Sequence, residues 1–191
     1  MEGGSIEVNG KGILLTTEEC IFARNPKLNR EQIEEYFKKY LGAEKTLWLG
    51  KGATGDETDG HIDAIARFVN PETIACVVEK NTEDANYETL RKNFEELQRM
   101  TDQDGKFFKV IPLPTPKPVM YKGQKLPANY ANFYIGNTIV LIPTFGCEQD
   151  EEVKKILSEF FPTRKMVGID CKELIWGYGA FHCSTQQHPK E

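Results

Sequence analysis

The 191-residue sequence predicts an α/β fold of repeated units, each an apolar strand, a polar turn, an amphipathic helix and a returning strand. Two observations carry this. Three similar stretches follow one another at a spacing of roughly 60 residues, the signature of a repeat architecture. No such unit can bury both faces of its sheet alone, so the units must pack side by side around a shared core, which suggests a propeller-like ring. The length sits within the range of one domain, taken as residues 1–191.

The first unit starts with the apolar run Gly12 to Thr16, passes through a helix from about Arg30 to Leu41, and returns through Thr46 to Leu49. Asn29 with Gln32 suits a capping box, and Ile33, Phe37 and Leu41 share one helical face. The second has Ile65 to Val69, the turn Asn70-Pro71-Glu72 and Thr73 to Val78, which read as a hairpin of β-branched strands. A helix from Tyr87 to Met100 carries Leu90, Phe94 and Leu97, and Phe107 to Ile111 returns as a strand before a turn-rich stretch from Pro112 to Pro118. That stretch reads as a connector that could line a cleft. The third unit uses Asn132 to Ile135, the turn Gly136-Asn137, Thr138 to Ile142, a helix from Asp150 to Phe161 and the strand Lys165 to Ile169.

With 39% hydrophobic and 28% charged residues the chain should fold rather than stay disordered. Its formal charge of -5 is spread along the sequence without a basic run, so nucleic acid is not an expected partner. No apolar stretch is long enough for a membrane span and the start MEGGSIEVNG lacks signal-peptide features, so a cytoplasmic location and no membrane partner are expected. The five cysteines are odd in number, scattered and free of CxxC pairs, which predicts reduced thiols and no zinc site.

Two segments could carry chemistry. Cys183 lies between a glycine-rich bend, Gly177-Tyr178-Gly179, and the polar run Ser184-Thr185-Gln186-Gln187, a setting unlike that of a buried core strand. In the other, Asp56, Glu57, Asp59 and Asp63 surround His61. If that segment is extended, His61 and Asp63 point to the same side, as i and i+2 must. A carboxylate beside an imidazole holds its tautomer or raises its pKa, and a carboxylate can also pair bidentately with guanidinium. A solvated acidic loop and a metal site remain alternatives, though for a metal only His182 and His188 are left as further histidines and neither lies at ligand spacing.

Five segments in order, Glu2-Gly3-Gly4-Ser5, Asp56 through Asp63, Ala66-Arg67-Phe68, Tyr130 through Tyr134 and Gly179 through Gln187, resemble the agmatine deiminase family, relatives of bacterial peptidylarginine deiminases. The resemblance covers this chain throughout, and about the C-terminal half of a typical member. It implies a pentein-type α/β propeller of ββαβ units, about three of whose five blades are present. It further implies hydrolysis of a guanidino group, agmatine to N-carbamoylputrescine and ammonia, through a covalent thiouronium, with no cofactor and no metal.

In that family pattern Cys183 would be the nucleophile and His61 would protonate departing ammonia and then activate water. Asp63 would bind the guanidinium nitrogens, Glu2 would orient His61, and Asp59 and Asn132 would join Asp63 in the substrate site. The chemistry needs these types, because guanidinium is a weak electrophile whose nitrogen must be protonated to leave. The family's further guanidinium-binding aspartate belongs to an Arg-Asp motif upstream of the EGG segment, outside this sequence. A homo-oligomer or a complementing chain would then cover the exposed blade faces. The alternatives are a non-catalytic remnant that binds a guanidino ligand or a partner protein, and a peptidylarginine deiminase.

Overall fold

The computed structural model describes residues 2–53, 55 and 57–186. Asp56, Gln187 and His188, which figured in the sequence reading, lie outside them. The first unit runs β1 (Ile6–Val8), β2 (Ile13–Thr17), α1 (Glu18–Arg24), α2 (Arg30–Leu41) and β3 (Lys45–Leu49). The second is β4 (Ala66–Asn70), β5 (Thr73–Val78), α3 (Tyr87–Arg99) and β6 (Lys109–Pro114). A small ribbon, β7 (Met120–Tyr121) with β8 (Gln124–Lys125), precedes the third unit of β9 (Tyr134–Ile135), β10 (Ile139–Thr144), α4 (Gln149–Ser158) and β11 (Lys165–Asp170).

Each unit forms its own three-stranded sheet, ordered β1-β2-β3, β4-β5-β6 and β9-β10-β11. In every one the central strand pairs antiparallel with its predecessor and parallel with the strand after the helix. The helix is the crossover that a parallel pair requires. Helix α2 begins on the expected box, with Asn29 accepting from Gln32 N at 2.9 Å and Gln32 Oε1 accepting from Asn29 N at 3.0 Å. It ends at Gly42 in the left-handed conformation, and Ile33 and Phe37 are its buried residues.

The sheets are joined by their cores. Ile13, Leu15, Leu47 and Leu49 of the first unit pack with Ile74, Leu90 and Leu97 of the second in one apolar cluster. Ala75, Ile111 and Leu113 of the second pack with Val140, Ile142 and Leu157 of the third in another. The middle sheet is therefore covered by apolar side chains on both sides, and removing these from water supplies the main drive for assembly.

Three expectations are corrected. The strand expected to stop at Ile111 continues to Pro114. This is tolerated because β6 pairs on one side only: Lys109 N donates to Glu72 O and Thr115 N to Val78 O, so the intervening even-numbered Pro112 and Pro114 lack donors on the free side. Helix α1 and strand β1 were absent from the sequence reading. Helix α1 follows β2 without a loop, its first turn capped by Thr17, whose hydroxyl accepts from Cys20 N. Finally, His61 and Asp63 do not lie on extended chain: Ile62–Ala64 is a 3-10 turn with His61 at its N-cap.

Candidate active site

A cleft of about 750 Å³ opens where the N-terminal segment, the His61 turn and the C-terminal segment meet. Its walls include Glu2, Gly4, Ile6, Thr58, His61, Arg67, Gly179, His182 and Cys183. The C-terminal segment leaves β11 through a 3-10 turn at Leu174–Gly177, and Tyr178 takes a left-handed conformation (φ 63) that redirects the chain. Residues 180–185 then close a single turn. Ser184 N and Oγ donate to Ala180 O at 3.2 and 2.7 Å, and Thr185 Oγ1 donates to Phe181 O at 2.8 Å. The polar Ser-Thr pair thus builds the turn that presents Cys183.

Asn132 holds this turn from below. Its Oδ1 accepts from the backbone N of Ala180 at 2.9 Å and of Cys183 at 3.1 Å, and its Nδ2 donates to Cys183 Sγ at 3.0 Å. Asn132 is itself fixed by Asn129 Oδ1, which accepts from its backbone N at 3.1 Å. Its side chain is 2% exposed, so it stands behind the sulfur rather than in the cleft wall.

Asp63 is fully buried. Its Oδ2 accepts from His182 Nδ1 at 2.7 Å and from Cys183 Sγ at 3.3 Å. Its other oxygen, Oδ1, is buried and has no hydrogen-bond partner among the described residues, an arrangement that costs stability unless a donor arrives. Gly4 allows the carboxylate and the imidazole to come together: a Cβ there would sit 2.6 Å from His61 Nδ1 and 2.7 Å from Asp63 Oδ2. His61 and Asp63 both flank Gly4, from a 3-10 turn and its N-cap rather than along an extended strand.

On the far side of the imidazole, His61 Nε2 is in close contact with Glu2 Oε2. Arg24 donates to Glu2 Oε1 at 2.8 Å and also pairs with Asp59. The Arg24 guanidinium first, and His61 second, hold the Glu2 carboxyl below the usual carboxylate range. Asp59, expected in the substrate site, instead faces Arg24, with its side chain 52% exposed.

Cys183 is exposed as a residue, yet its sulfur is crowded: a Cβ on Gly179 would lie 2.9 Å from it. Burial of the sulfur, and then the Asp63 carboxylate, push the thiol up to about 12, with Asn132 pulling the other way. Burial and the neighbouring Asp63 thus both favour the thiol over the thiolate.

The structure therefore brings Glu2 to His61, and Asp63 and Asn132 to Cys183. Three participants escaped the sequence reading. His182 sits next to Cys183 in the chain but 119 residues from Asp63, which it contacts. Arg24 belongs to the unpredicted α1, as does Cys20, whose sulfur joins Glu2 and His61 in a set of ligand atoms within 4.8 Å of one another. Nothing in local spacing could show that convergence.

A thiol, an imidazole and the Glu2 carboxylate thus line one cleft, with the buried Asp63 carboxylate against the sulfur. The chain belongs to the Porphyromonas-type peptidyl-arginine deiminase family, whose model matches residues 1–189. A Legionella pneumophila (strain Paris) protein assigned as an agmatine deiminase is 42% identical over 193 residues, covering 100% of this chain and 56% of the relative. A crystal structure of a Porphyromonas gingivalis protein assigned as an arginine deiminase superposes with a TM-score of 0.95 at 40% identity, over 99% of this chain and 57% of that one. The agmatine deiminase of Enterococcus faecalis superposes at 0.93 with 35% identity, over 98% and 57%. The chain thus spans a little over half the length of the relatives it matches. An α/β fold is shared more widely: an amidinotransferase from Microseira wollei, 14% identical, superposes with a TM-score of 0.57.

Proposed function

We propose that the cleft hydrolyses the guanidino group of a small cation, agmatine first among them, to a urea and ammonia. The observation that carries this is the Asp63 carboxylate, which touches Cys183 Sγ through one oxygen and keeps the other buried without a partner. A guanidinium offers paired N–H donors to such a carboxylate, and the same pairing sets its central carbon beside the sulfur. The pairing also neutralises Asp63, removing one cause of the raised thiol pKa. Substrate binding then favours the thiolate that has to attack.

In this reading the Cys183 thiol gives up its proton to water in the cleft, and the sulfur lone pair forms a bond to the guanidinium carbon. The tetrahedral adduct collapses as His61, held by Glu2, protonates the departing nitrogen, and ammonia leaves a covalent thiouronium. Water then attacks that carbon while His61 takes its proton. Breaking the C–S bond returns the sulfur and releases the urea. Asn132 acts as a positioning residue for the sulfur, and Asp59 acts through Arg24. Neither needs to touch substrate.

The three sheets are read as three blades of a pentein-type α/β propeller that has five. β1 is a sheet edge, and Val8 on it is 53% exposed, an apolar edge that the remaining length of a full relative, a complementing chain or a second copy would cover. Agmatine is favoured over arginine or a peptidyl arginine by the two named agmatine deiminases among the relatives described above. A cytoplasmic setting fits five scattered cysteines without CxxC spacing, and no helix of the described residues is long and apolar enough to cross a membrane.

Ammonia release is the test. Turnover with about 1 mM agmatine, a concentration in the usual KM range, that disappears in Cys183→Ala supports the reading. No release from the chain alone, followed by release when the remaining length of a relative is supplied in trans, would locate the deficit in groups which that length supplies. No release in either case sinks the assignment.

A further inference from the structure

We propose that Glu2, Cys20 and His61 form a binding site for a zinc-class divalent ion. The consequence that such an ion blocks turnover rests on the proposed function; the binding itself does not. The ligand atoms of these three residues all lie within 4.8 Å of one another. A tetrahedral zinc centre with one sulfur, one nitrogen and one oxygen ligand holds those atoms roughly 3.3–3.6 Å apart, so the three need move by only about an ångström. A thiolate, an imidazole and a carboxylate suit a borderline-soft ion and not magnesium or calcium, which want oxygen throughout.

The fold holds the sulfur in place. Cys20 is fully buried in the first turn of α1, where its backbone N donates to Thr17 Oγ1 at 3.3 Å. The same Thr17 hydroxyl donates to Gly60 O at 2.7 Å, which ties the start of α1 to the residue before His61. Glu2 and His61 line the cleft, so an ion enters from the cleft with Cys20 as its inner ligand and its fourth position facing the cleft. Glu2 Oε2 and His61 Nε2 have to part to admit it. The Glu2 side chain is 41% exposed and can pivot about its Arg24 contact, whereas His61 is 11% exposed and held.

The charges balance. Arg24 is already matched by Asp59, so the two charges of the ion meet the Glu2 carboxylate and the Cys20 thiolate. Binding forms the metal–sulfur bond and releases the Cys20 proton to solvent, so affinity rises with pH. Bound through Nε2, His61 can no longer pass protons with that nitrogen, and turnover stops.

The test uses the chain carrying Cys183→Ala, so that the exposed thiol cannot contribute. Titration with Co²⁺ should produce a sulfur-to-cobalt charge-transfer band that zinc displaces. Adding Cys20→Ala should abolish the band and weaken zinc binding roughly hundred-fold, and His61→Ala, a change at the cleft wall, should do the same. In the chain with Cys183 intact, Cys20→Ala should raise the zinc concentration that halves the variant's own agmatine turnover at least tenfold. A band that survives Cys20→Ala, or no band at any Co²⁺ concentration, overturns the proposal. Absence of turnover with a band that depends on Cys20 overturns the deiminase reading and leaves the metal site standing.

Discussion

His182 Nδ1 lies 2.7 Å from Asp63 Oδ2, and both side chains are buried. This contact ties the turn that carries Cys183 to the buried carboxyl group. His182→Ala removes one partner of a buried carboxylate and should lower stability by about 1–3 kcal/mol in urea unfolding. His182→Asn, which keeps a donor, should recover part of the loss. Equal loss in both variants would show that packing rather than the hydrogen bond matters.

Reactivity of Cys183 should report its environment. With the thiol at about 12, alkylation of the free chain should be slow at neutral pH and rise about tenfold per pH unit through pH 9. Asp63→Asn removes the carboxylate's share of the shift and should raise the rate at fixed pH, while burial, the larger cause, remains. The sign for folding follows: a thiol raised above its unfolded value loses stability as pH climbs through that unfolded value toward 12. A rate flat between pH 7 and 9 would indicate a thiolate already formed.

Gly4→Ala would place a methyl group 2.6 Å from His61 Nδ1 and 2.7 Å from Asp63 Oδ2. Both groups must shift, and a displacement near an ångström in a site of this kind costs about 100-fold in kcat. Stability should fall by about 1–3 kcal/mol, the usual cost of overpacking. Steady-state kinetics beside thermal unfolding would separate the two effects, and near-normal kcat would show that the cleft is softer than its geometry suggests.

Arg67 is a buried link between units. Its Nε donates to Glu7 Oε2 at 2.8 Å and its Nη1 to the carbonyls of Ala131 and Phe133 at 3.2 and 2.9 Å. Arg67→Met leaves Glu7 buried without its counter-charge and should cost about 3–5 kcal/mol, whereas Glu7→Gln with Arg67→Met should recover much of it. Denaturant midpoints of the two single variants and the double variant measure the coupling. Additive losses would show that the pair does not act as a unit.

The periodic elements were legible because their spacing is local. The capping box at Asn29, the faces of α2 and α3, and the β5 and β10 strands follow from residue type and period alone. Helix α1 was not, because seven residues following straight on a strand give too little periodicity to read. In the site, Cys183 and His61 were visible through their unusual flanks. The contacts of Asp63 with His182 and of Glu2 with Arg24, and the approach of Cys20 to within 4.8 Å of His61, were not, since each joins segments brought together only by tertiary packing.

The prolines of β6 have a consequence for how the molecule behaves in a crowded solution. With Pro112 and Pro114 turned to the free side, the outer edge of the middle sheet lacks a continuous ladder of donors there, and a strand from another molecule finds few to pair with. The chain thus carries its own hindrance to fibril-like assembly on that one edge of the sheet.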